Sequence, residues 1–149
     1  MKIYLGCDHQ GAKIKNDVIR YIKGNGFEIE CSLLENYDTD DYPDFAFDVC
    51  NKVLENDGLG ILICGSGIGM SIAANKIKGI RCARVVNEDD AFTCKNHNGA
   101  NVIAFSANIP FNEIEKIIDA FLLTKYPNEE RHLRRIDKVN KIEEGTFNA

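Results

Sequence analysis

The stretch richest in chemical possibility is Cys64-Gly65-Ser66-Gly67-Ile68-Gly69, directly after the apolar run Ile61-Leu62-Ile63. Three alternate glycines let a backbone turn sharply, so that successive N–H groups point at one anion ahead of a helix. A turn of this kind also occurs as a bare strand-to-helix connection, and the neighbouring side chains are what favour an anion cradle. Cys64 closes the strand and faces the helix start, where backbone dipoles stabilise a thiolate and make it a nucleophile or base near neutral pH. Cys7, next to Asp8, is its chemical rival. Cys31, Cys50, Cys82 and Cys94 read as small buried hydrophobes, and no C-x-x-C pair or Cys/His set stands at zinc spacing, so the six thiols read as reduced. Met70 and Ile72 stand where a dinucleotide fingerprint needs glycine, and the phosphate-loop pattern G-x-x-x-x-G-K-[ST] is absent.

His9, His97 and His132 each lie beside polar or glycine residues, outside any apolar periodic stretch. His97, in Lys95-Asn96-His97-Asn98-Gly99, reads either as a helix carboxyl cap or as a working imidazole. Residues 131–141 carry a local charge of +4, leaving -9 on the rest of a chain whose total is -5. Within that segment Arg131 and Arg135 share a helix face, a spacing that lets two guanidinium groups meet one phosphate, although a basic run is more often a solvated face.

The elements that must position these groups follow from alternating periods. Strand-like runs cover residues 3–7, 27–33, 60–64, 81–86 and 101–105. Helical spacing covers residues 11–23, a segment after Pro43 with Phe45, Val49 and Val53 inward, one after Gly69, then 88–96, 110–125 and 129–144. Strands too apolar for one-sided burial, alternating with helices, predict a three-layer α/β sandwich around a five-stranded parallel sheet of Rossmann or flavodoxin type, with an extra C-terminal helix. Ligands of such sheets bind beyond the carboxyl ends of the strands. Those ends carry Asp8-His9, Asp41-Tyr42-Pro43, the Cys64–Gly69 turn, Asn87-Glu88 and Ser106. The sixth helix has no strand after it and is free to pack on a partner or reach back over the sheet edge.

The 149 residues, 44% hydrophobic and 28% charged, suit one domain over residues 1–149 that buries about 70% of its unfolded surface without disulfide or metal support. A pI near 5.2 argues against nucleic-acid binding through a broad basic surface, and no apolar run is long enough to span a membrane. No basic stretch with an apolar signal core follows Met1, and the protein reads as cytoplasmic.

Taken together, the segments resemble the type B ribose-5-phosphate isomerases, whose family includes subunits of galactose-6-phosphate isomerase and the allose-6-phosphate isomerases. The matching residues are Gly6-Cys7-Asp8-His9 with Gly11, Asp41-Tyr42-Pro43, residues 61–69, Ser71-Ile72-Ala73-Ala74-Asn75-Lys76, His97-Asn98, and Arg131-His132 with Arg135. The resemblance implies an aldose-ketose isomerase acting through an enediolate. It makes Cys64 the base, Ser66 part of the anion hole and His97 the ring-opening residue, beside the anion cradle that the backbone of Gly65, Gly67, Ile68 and Gly69 offers by its own spacing. Asp8, His9, Tyr42 and Asn98 match sugar-contacting positions, and His9, Arg131 and Arg135 phosphate-contacting ones. It further implies no metal or organic cofactor, and a homodimer or dimer of dimers with its sites at the subunit interface. Two departures stand out: Asn108 where many members carry an arginine, and Glu129-Glu130 where glycines are common. They keep a six-carbon aldose 6-phosphate open as the substrate. A sugar-phosphate sensor without chemistry and a thiol-redox enzyme are the readings from other classes.

Overall fold

A computed structural model describes all 149 residues, Met1–Ala149. Five strands, β1 (Lys2–Cys7), β2 (Glu28–Cys31), β3 (Leu59–Cys64), β4 (Cys82–Arg84) and β5 (Val102–Ser106), form one all-parallel sheet in the order β2-β1-β3-β5-β4. Six helices cover it: α1 (Lys15–Gly24), α2 (Tyr42–Asn56), α3 (Ile68–Ala74), α4 (Glu88–Asn96), α5 (Phe111–Leu123) and α6 (Glu130–Glu144). The predicted three-layer α/β sandwich is present, with β5 inserted between β3 and β4.

Alternation along the inner strands divides the core in two. Ile3, Leu5, Leu59, Ile61, Ile63, Ile103 and Phe105 pack with residues of α1, α4 and α5 on one face. Tyr4, Leu62, Cys64, Val102 and Ala104 pack with α2 and α3 on the other. All six residues of β3 are buried, as two-sided burial of a central parallel strand requires.

The edge strands are shorter than their sequence pattern. β2 stops at Cys31 instead of residue 33, since it has a neighbour on one side only and Leu33 turns out to 88% exposure. β4 ends at Arg84 instead of residue 86, because the Val86 N–H is drawn to the Asp90 carboxylate at 3.1 Å, near the start of α4. The first helix begins as a 3-10 turn at Gly11–Lys13, and the α-helix proper starts after Ile14, whose φ of -113° and ψ of 2° interrupt it. The sixth helix reaches back over the β4 edge, where both Glu143 carboxylate oxygens accept the Gly79 N–H.

The chain leaves β1 for β2 on one side, then returns to β3 on the other. Crevices in parallel sheets open at such a switch point, beyond the carboxyl ends of the two strands. Asp8-His9 and the Cys64–Gly69 turn stand there.

Candidate active site

Cys64 is the last residue of β3 and 4% exposed. Its Sγ accepts the N–H of Gly67 at 3.1 Å, so the thiol is tied to the turn it was expected to face. Gly67 has φ 77°, and a Cβ there would stand 2.8 Å from the Phe105 backbone; the turn needs glycine on both counts. The loop carbonyls are held from the neighbouring strands. Ser106 Oγ donates to Gly65 O at 2.6 Å and Arg84 Nε to Ser66 O at 3.1 Å. Ser66 Oγ accepts the Ile68 N–H at 3.2 Å. Gly69 lies against the Tyr42 ring, where an added Cβ would come within 2.6 Å of Cζ.

The loop after β1 abuts this turn. Asp8 N–H donates to Ile63 O at 3.2 Å, and Gly11 packs so closely on the same carbonyl that a Cβ would reach 2.2 Å. Asp8 is 6% exposed, and its Oδ1 accepts the N–H groups of Gln10 and Gly11, each at 2.9 Å, which shapes the loop. His9 is gripped twice by Asp40 Oδ1, through its N–H at 2.9 Å and ring Nδ1 at 2.7 Å. The hydrogen bond to Asp40 raises the His9 pKa above the ordinary histidine value; burial opposes it, and the charges of Asp8, Asp40 and Asp38 add to it. Burial pushes the Asp40 carboxyl up, but donors from His9, Asn36 and Tyr37 outweigh it and hold the pKa below the ordinary aspartate value. One ligand atom from each of Asp8, His9 and Asp40 lies within 4.8 Å of the others, and Asp8 Oδ1, His9 Nδ1 and Asp40 Oδ1 are engaged in these internal hydrogen bonds.

A second cluster forms where α6 crosses the amino-terminal edge of the sheet. His97 caps the carboxyl end of α4, and its ring stacks on His132 with centroids 4.3 Å apart and planes at 12°. His132 is 7% exposed with no hydrogen-bond partner for Nε2. Its pKa is lowered by burial, with the His97, Arg131 and Arg135 charges contributing. His97, Asn98, His132, Arg135 and Arg81 line a cavity of about 560 Å³. Arg131 Nε is paired with Glu129 at 2.9 Å, whereas Arg135 has no ion pair in the chain.

The structure therefore gathers Asp8, His9, Tyr42, Cys64, Gly65, Ser66, Gly67, Ile68 and Gly69 at the carboxyl ends of the strands, and His97, Asn98, Arg131 and Arg135 elsewhere. α4 runs antiparallel to the strands, so its last residue lies at their amino ends. Cys64 pairs with Ser106, the end of β5, and His97 precedes Val102, its start. The four residue steps from Val102 to Ser106 span about 13 Å along the strand direction, so the Cys64 turn and the end of α4 lie toward opposite ends of β5. The largest surface cavity, about 900 Å³, is lined by Glu35, Asp40, Asp41, Asp44, Asp48 and Glu55 with one cation, Lys52, and so has the wrong sign for a phosphate. Asp40 and His132 are among the polar side chains at these clusters that sequence reading gave no role, as are Arg81 and Arg84. His132, directly after Arg131 and three residues before Arg135, had a signal; Asp40, one more acid in an acidic loop, had none.

A family model described as Ribose/Galactose Isomerase matches residues 3–139. The probable ribose-5-phosphate isomerase B of Mycoplasma genitalium is 42% identical, with 97% of each chain covered. Ribose-5-phosphate isomerase B of Escherichia coli K12 is 38% identical over 96% of this chain and 97% of its own. Among solved structures, type B ribose 5-phosphate isomerase of Trypanosoma brucei superposes with a TM-score of 0.90 at 38% identity, covering 95% of this chain and 97% of that one. The Mycoplasma genitalium enzyme with bound ribulose-5-phosphate gives 0.89 at 39% identity, with 96% of each chain covered.

Proposed function

The chain belongs to the ribose/galactose isomerase family, and from that premise we propose that it interconverts ribose 5-phosphate and ribulose 5-phosphate with Cys64 as the base. In the aldose-to-ketose direction the proton on C2 of the open-chain sugar moves to the thiolate and then to C1, while the hydroxyl proton passes from O2 to O1. The intermediate enediolate carries its charge on oxygen, where preorganised donors lower the barrier most. The Ser66 hydroxyl and the turn's N–H groups suit that role. The observation that carries this reading is the Cys64 Sγ held at 3.1 Å from the Gly67 N–H, a donor that a thiolate accepts better than a thiol.

His97 opens the sugar ring in this scheme, and a single chain holds it too far from Cys64 to do so. A two-fold homodimer resolves the separation: the His97, Asn98, Arg131 and Arg135 cluster of one protomer faces the Cys64 turn of its partner, giving two composite sites. The exposed apolar residues Ile68, Ile72, Phe92, Leu133 and Val139, on α3, α4 and α6, suit such an interface. Arg131 and Arg135 on the remote phosphate then align C1 and C2 over the sulfur.

Two features bear on sugar length. Asn108 carries no charge and turns its amide to Gly65 O at 3.4 Å, and Glu129 holds Arg131. They support a six-carbon aldose 6-phosphate as the second reading. One experiment tests both: kcat/KM of the wild-type chain on ribose 5-phosphate, allose 6-phosphate and galactose 6-phosphate, with Cys64→Ala alongside. Ribose 5-phosphate is expected to lead, and Cys64→Ala to lose about 10³-fold. A six-carbon sugar leading by kcat/KM reverses the substrate assignment, and full turnover by Cys64→Ala removes the proposed base.

A further inference from the structure

We propose that Asp40 is the positioning residue of His9: it takes the ring Nδ1–H, fixes the orientation of the imidazole, and leaves Nε2–H to donate to the anionic end of the substrate. The proposal rests on the sugar-phosphate reading above and adds to it a residue that makes no contact with substrate.

The geometry is that of a built support. One Asp40 oxygen engages both the main chain and the ring of His9, so the imidazole is locked relative to its own backbone. The other oxygen accepts from Asn36 Nδ2 and from the Tyr37 N–H, each at 3.1 Å. Asn36 Nδ2 also donates to Cys7 O at 2.8 Å, which ties the carboxylate to the end of β1. The Asp40 side chain is only 5% exposed, while that of His9 is 33% exposed. A supported carboxylate behind a half-open imidazole fixes the tautomer and turns the far nitrogen outward. His9 Nε2 has no partner in the chain and is not among the buried unpaired atoms, so it reaches solvent beside the Cys64 turn.

Charge points the same way. The ionised groups around His9 are Asp8 beside it in the loop after β1, and Asp38 and Asp40 from the loop before α2, all acids. They favour the imidazolium, and a cationic Nε2–H donor is stronger than a neutral one.

The test compares wild type with Asp40→Asn by histidine NMR titration and by ribose 5-phosphate kinetics across pH. Wild-type His9 is expected to titrate above the ordinary histidine value of about 6.5, and Asp40→Asn to bring it back toward that value. In kinetics, the variant-to-wild-type ratio of KM is expected to reach about ten-fold above neutrality and to shrink at acid pH, where both imidazoles are protonated, with kcat little changed. A His9 titration unmoved by Asp40→Asn, or a loss confined to kcat, overturns the proposal. If Asp40→Asn does not fold, the wild-type titration decides, and a His9 value at or below the ordinary one overturns it. Absence of wild-type turnover on ribose 5-phosphate removes the function reading alone, because the titration needs no substrate.

Discussion

Cys7 and Cys64 end adjacent parallel strands, yet they point to opposite faces of the sheet. Cys7 pairs in register with Ile63, one residue short of Cys64, and alternation does the rest. Cys7 therefore packs with Ile3 and Leu5 among α1 and α5 residues, where burial raises its thiol pKa strongly, out of reach of base chemistry near neutrality. Cys64 packs on the α2 and α3 side, at the turn, with the Gly67 N–H on its sulfur. Sequence favoured Cys64 for its glycine turn but could not remove Cys7 as a rival, because register between strands is not written in either strand alone. Cys7→Ala is expected to keep turnover within about two-fold while costing about 1 kcal/mol through a small cavity. Steady-state rates and thermal melting of that variant check it, and a collapse of kcat in a folded Cys7→Ala protein would return Cys7 to candidacy. Asp40 was illegible for a related reason: its worth lies in a contact with His9 across 31 residues.

Elements whose burial is two-sided were read closely from sequence, and those at the edges were overextended. Residues 60–64 were expected in strand and Leu59–Cys64 is found, whereas the β-branched and apolar residues of 27–33 and 81–86 continue past the point where a neighbour supplies hydrogen bonds. Periodicity sees side chains; pairing on one edge only is a property of the sheet. The packing of α4 on α5 was hidden likewise, since it depends on a buried lysine. Lys95, 2% exposed, donates to Phe121 O at 2.8 Å and lies 4.8 Å and 5.2 Å above the rings of Phe121 and Tyr126. Burial lowers its pKa from 10.5 to about 8. Between those values the unfolded chain binds more protons than the folded one, so stability rises with pH through that window. Below about 8 the amine is charged in both states and the full cost of burying the ammonium is present. Unfolding free energies of wild type and Lys95→Met, measured from pH about 7 to about 10.5, are expected to diverge in slope: wild type gains up to about 3 kcal/mol that Lys95→Met lacks. Parallel curves would mean that the lysine stays charged in the folded state.

At the scale of the whole molecule, the sequence offers candidate site residues by type but not their arrangement, since it lists them without saying that α4 carries His97 away from Cys64. The Cys64 turn sits at one end of the sheet and the His97-His132 stack at the other, joined to α6 as it crosses the β4 edge. If each working site draws one cluster from each protomer, defects in the two clusters belong to different sites whenever two unlike subunits pair. In a mixed dimer of Cys64→Ala and His97→Ala chains, one site carries both lesions and the other carries neither. Equal amounts of the two variants, mixed under conditions that allow subunit exchange, give half mixed dimers with one intact site each, so about a quarter of wild-type activity is expected from two preparations each severely impaired alone. If one chain supplied both residues to the same site, every site in the mixture would carry a lesion. Mixing would then restore nothing, and the composite site would have to be abandoned.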